Sequence, residues 1–63
     1  MQNSIPMIII ETTRGSVPGG FDLETALAGT REVERDGRQV LRLMIGATET
    51  IEGEELRRLL ADL

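Results

Sequence analysis

The stretch TREVERDGRQVLRLMIG, Thr30 to Gly46, decides the fold, because it sets an Asp-Gly pair, Asp36-Gly37, between two arms of different character. Asp-Gly between two candidate strands is a strong hairpin signal, since both residues accept the positive φ that a tight turn demands. The second arm, Val40, Leu41, Leu43, Met44 and Ile45, is apolar on both alternating faces. The first carries Arg31, Glu32, Glu34 and Arg35 and reads as an exposed edge. A two-residue turn sets Val33 opposite Val40, but it also opposes Arg35 to Arg38 and Arg31 to Arg42, like charges that cost stability. A three-residue loop, Arg35 to Gly37 with a glycine bulge, pairs Glu34 with Arg38 instead and is the favoured register.

Outward from this hairpin, Ile5 to Ile10 is a second two-sided apolar run whose β-branched isoleucines predict a strand, with Pro6 confined to its beginning or to an edge. Glu11 to Arg14 leads out of it, and residues 13–20 read as a Gly/Pro loop. In FDLETALAG, Asp22 caps a short helix over 22–28, Leu23, Ala26 and Leu27 supply its apolar spacing, and Gly29 ends it. ATETI adds a short strand after Gly46, and Thr50 or Glu52 caps the segment that follows. There Leu56, Leu59, Leu60 and Leu63 fall at i, i+3, i+4 and i+7, the stripe of an amphipathic helix, with Glu54 and Arg58 spaced to pair on its outer face. The expected class is α+β: a small antiparallel sheet, made of the N-terminal strand and the Asp36-Gly37 hairpin, packed on one C-terminal helix, with a short helix at 22–28. Residues 1–63 are read as a single small domain.

Composition narrows the functions. The chain has no Cys and no His, which removes disulfides, thiolate and imidazole metal sites, Cys nucleophiles and imidazole acid-base chemistry. No metal, cofactor or catalytic residue is expected. Glu54 with Glu55, or Glu49 with Glu52, form carboxylate pairs, but no calcium-loop pattern surrounds them and they read as solvated surface. Seven arginines and eleven acidic residues are interspersed, for a net charge of −4. That disfavours nucleic acid, as does having Phe21 as the sole aromatic residue. A β-ribbon that reads DNA with Arg31, Arg35, Arg38 and Arg42 is opposed by the interleaved acids, and an acidic mimic of DNA lacks an unbroken negative stripe. The start MQNSIPMIII has no basic region and too short an apolar run for a signal peptide or membrane span, so no membrane contact and a cytoplasmic location are expected.

Both apolar strands need cover on two faces, and one helix covers one face. Leaving a second face in water forfeits roughly 1.5–3 kcal/mol per large apolar side chain, against a total stability of about 5 kcal/mol for so small a domain. A homo-oligomer, most simply a two-fold dimer, resolves the conflict. Its expected interface is Ile8, Ile10, Val40, Leu43, Met44, Leu56 and Leu60. The competing monomer would fold its loop and short helix over the second face.

The segment TTRGSVPGG, Thr12 to Gly20, matches neither G-x-x-x-x-G-K-[ST] nor G-x-G-x-x-G, and the chain has no lysine, so its glycines and proline read first as turn formers. Its ligand-binding alternative is an anion site of Arg14, Gly15, Ser16, Gly19 and Gly20 at a subunit boundary. The expected function is accordingly a non-enzymatic, self-associating small acidic protein that acts as a protein-binding adaptor, inhibitor or assembly subunit and regulates by occupying another protein's surface. The alternative is an oligomer that binds a small anion such as a nucleotide through that loop and Arg14.

Overall fold

The computed structural model describes residues 7–46 and 48–63; the expectations for Ile5, Pro6 and Ala47 lie outside them. Apolar β-branched residues at Ile8, Ile9 and Ile10 form strand β1, Ile8–Thr12. A turn at Thr13 and Arg14 follows. There the Thr12 hydroxyl donates to the Gly15 carbonyl at 2.8 Å and accepts the Arg14 amide at 3.0 Å. The chain then runs back as β2, Gly15–Pro18. Residues 13–20 are therefore largely a strand and its flanks, which corrects the expected loop. Gly15 sits at φ +115, a value that favours glycine at the strand's first position.

Helix α1, Leu23–Arg35, begins where expected and runs seven residues past the expected end at 28. Asp22 is its N-cap, accepting the Thr25 amide at 3.3 Å and the Thr25 hydroxyl at 2.6 Å. Asp22→Ala is expected to cost about 0.5–2 kcal/mol, read as a lowered urea midpoint with unchanged slope. Gly29 does not end the helix. A Cβ there would meet the Ile10 Cδ1 atom at 3.2 Å, so this glycine lets helix and sheet approach closely.

The hairpin expected at Asp36-Gly37 is absent, because residues 31–35 are helical. Asp36 and Gly37 instead close α1. The Gly37 amide bonds the Glu34 carbonyl at 3.0 Å, the Arg38 amide bonds the Val33 carbonyl at 3.2 Å, and Gly37 takes φ +95. This is a Schellman cap, which asks the same of its glycine as a hairpin turn does.

Strand β3, Val40–Ile45, pairs antiparallel with β1, and β4, Glu49–Glu52, pairs antiparallel with β3. The sheet has four strands in the order β2-β1-β3-β4. Helix α2, Gly53–Ala61, follows β4 directly, with Glu52 as an N-cap whose side chain makes no bond to the helix amides. The α+β class with an antiparallel sheet and a C-terminal helix thus holds, but the hairpins are β1-β2 and β3-β4. The fold is two successive ββα units joined side by side through β1 and β3.

Both helices lie on one face of the sheet, α1 over β1 and β3, α2 over β3 and β4. The core between the layers is Ile8, Ile10, Ala26, Leu27, Val40, Leu43, Leu56 and Leu60. Thr30 is fully buried and satisfies its hydroxyl on the Ala26 carbonyl at 2.8 Å. Arg57 of α2 reaches Glu34 of α1 at 2.7 Å, whereas the expected Glu54–Arg58 pair does not form among the described residues. That bond holds the Arg57 guanidinium's pKa above its ordinary value.

Candidate functional site

The strands are apolar on two faces, but the helices cover one. Across the sheet, Ile9 stands beside Pro18 on one side and Met44 on the other, and Met44 beside Thr50. These four form a row on the face away from the helices, because Ile8, Ile10 and Leu43 of alternating parity are the ones buried beneath α1 and α2. Ile9 and Met44 are half-buried, and Pro18 and Thr50 exposed. Met7, of the same parity just before β1, is exposed.

The next row on this face is polar: Ser16, Glu11, Arg42 and Glu52. Arg42 binds Glu11, and its Nε donates to Glu52 at 3.2 Å. Hydrogen bonds to Glu11 and then Glu52 raise the Arg42 pKa. The cation is thus shared between two carboxylates of flanking strands. At this row the register shifts, so that Glu11 faces Arg42 while Thr12 faces Val40, and Leu41 is an unpaired extra residue. The bulge turns Leu41 outward, at 42% exposure.

The expected interface residues are mostly elsewhere. Ile8, Ile10, Val40, Leu43, Leu56 and Leu60 are buried in the chain's own core, and Met44 alone of that set lies on the open face. The residue missed is Ile9. In a run of three isoleucines no sequence signal distinguishes the parity that meets the helices from the parity that meets water.

The expected anion site does not converge. Gly15 and Ser16 lie on β2, Gly19 and Gly20 follow it, and Arg14 is in the turn. The Gly19 amide is spent on the Ile8 carbonyl at 2.7 Å, and the Gly20 carbonyl accepts the Ile8 amide at 2.7 Å. The arginines weighed as a ribbon are dispersed too: Arg31 and Arg35 are on α1, Arg38 in the connection, Arg42 on the sheet. No cavity and no cluster suited to a metal ion is found among the described residues.

Backbone polarity identifies a second surface. Ile8 exchanges bonds with Gly19 and Gly20, so even-numbered residues of β1 face β2 and odd-numbered ones face β3. Ile9 and Glu11 therefore engage Met44 and Arg42, leaving Leu43 and Ile45 to bond β4 through Ile51 and Glu49. Thr50 and Glu52 then direct their N–H groups away from the sheet, where β4 has no neighbour among the described residues. On the opposite edge the corresponding positions are Ser16 and Pro18, and Pro18 has no N–H.

The layered arrangement defines a two-layer α+β protein with one sheet face that no described element covers. No family model matches the chain, no curated protein matches it in sequence, and no solved structure matches it.

Proposed function

We propose that this chain is a non-enzymatic, self-associating protein-binding module, an adaptor, inhibitor or assembly subunit, whose copies meet through the open sheet face. The observation that carries this reading is the row Pro18, Ile9, Met44 and Thr50, which the chain's two helices leave uncovered. A two-fold packing of sheets about 10 Å apart would bury Ile9 and Met44 against their own counterparts. The adjoining Glu11, Arg42 and Glu52 already satisfy one another, so they can line the rim without an unpaired guanidinium. We take the cytoplasm as its compartment, since the fold needs no disulfide to staple it. No helix among the described residues is long and apolar enough to cross a membrane.

Sedimentation velocity over a concentration series tests the reading. The parent chain is expected to sediment heavier than 6.9 kDa at micromolar concentration. Met44→Glu is expected to weaken association by roughly tenfold or more, because it places a carboxylate in the centre of the contact. A parent that stays at 6.9 kDa at every concentration would sink the proposal.

A further inference from the structure

We infer that the free edge of β4 is a docking site for an extended, arginine- or lysine-bearing segment of another protein chain, which adds to the sheet as a fifth strand. This goes beyond self-association, which uses the face of the sheet and leaves its edge untouched.

The two edges of the sheet are treated differently. On β2, Pro18 occupies an outward-facing position and offers no donor, a common way of blocking strand addition. On β4, Glu49–Glu52 contains no proline, glycine or lysine, and the outward N–H groups of Thr50 and Glu52 have no strand beside them among the described residues. A strand lying alongside would complete the ladder by main-chain bonds, independently of its sequence.

Charge selects the occupant. Residues 49–55 hold Glu49, Glu52, Glu54 and Glu55 and no cation, while the remaining acidic residues balance the seven arginines, so the net charge of −4 resides in this segment. All four glutamates are exposed, and among the described residues only Glu52 is ion-paired, to Arg42. Strand alternation sends Thr50 and Glu52 to the open face and Glu49 and Ile51 to the helix side, where Glu54 and Glu55 begin α2. Cationic side chains of either parity on an added strand therefore meet carboxylates. A second β4 would instead bring two such acidic segments together, which like-charge repulsion opposes.

The experiment is an NMR titration of the full chain at low salt with a blocked peptide of sequence Arg-Thr-Arg-Val-Arg-Thr-Arg-Val. The expected result is chemical-shift change centred on residues 49–52 and slowed exchange of the Thr50 and Glu52 amides. Thr50→Pro removes an outward donor that no described residue uses, and is expected to weaken binding by roughly tenfold while Ser16→Pro does not. The triple variant E49Q/E54Q/E55Q, which keeps the backbone intact, is expected to lose a similar factor and most of the salt dependence. Met44→Glu is expected to bind the peptide undiminished, which separates failure of this site from failure of self-association. Shifts spread evenly over all acidic residues would overturn the inference, as would a triple variant that binds like the parent. So would Thr50 and Glu52 amides already protected without peptide, the signature of a second copy on this edge.

Discussion

Ile10→Ala is expected to leave the chain largely unfolded at 25 °C, whereas Ile9→Ala, one residue away, is expected to keep the fold and weaken association. Ile10 has no exposed surface, and its Cγ1 and Cδ1 atoms fill the gaps beside Gly19 and Gly29, joining β1, the end of β2 and α1. Truncating such a side chain costs about 2–5 kcal/mol through lost burial and the cavity left behind, which is comparable to the whole stability of about 3–5 kcal/mol that a core of this size supplies. Ile9 is half-buried on the uncovered face, where truncation removes less area and leaves no cavity. Circular dichroism in a urea series on both variants is the measurement. Equal losses would contradict the assignment of alternating isoleucines to opposite faces.

The second large effect is expected at Gly19. A Cβ on this residue would stand 3.0 Å from the Ile10 Cγ1 atom and 3.0 Å from the Ile8 carbonyl oxygen. That oxygen cannot withdraw, because it accepts the Gly19 amide at 2.7 Å. Gly19→Val is therefore expected to destabilise by about 1–3 kcal/mol, the usual cost of forcing extra carbons into a packed site. Thermal melting should show a lower midpoint, and a variant as stable as the parent would mean that this strand end does not pack on Ile10. Gly19 is thus glycine because two strands and an isoleucine converge there, with no ligand required.

Much of the architecture could be read directly from residue spacing. Ile8 to Ile10 of the isoleucine run begin β1, the Val40 to Ile45 run is β3, ATETI overlaps β4 at Glu49 to Ile51, and the leucine spacing marked α2, of which Leu56 and Leu60 are buried while Leu63 lies exposed beyond the helix end. Helix α1 was half legible. Leu23, Ala26, Leu27, Thr30 and Val33 keep helical spacing to its last turn, but Thr30 is polar and Gly29 resembles a terminator. Asp36-Gly37 then fitted a turn between strands as well as a helix cap, since local chemistry demands only that glycine accept positive φ. For the candidate site, the excess of apolar strand surface was legible, and Met44 of the expected residues lies on the open face, but Ile9 beside it was not singled out. The open edge of β4 became visible only once neighbours were assigned to every strand.

Composition and periodicity by themselves determined that this chain pairs antiparallel strands with helices and places its excess negative charge in residues 49–55. They also determined that it does without cysteine or histidine chemistry. Only the tertiary structure decided that both helices cover the same face, that Ile10 lies inside while Ile9 lies outside, and that β4 is the last strand of the sheet among the described residues. The physical reason is that local spacing sets which conformation a segment favours, whereas face, parity and edge are properties of pairs of segments. In strands apolar on both sides, nothing within one segment breaks the tie.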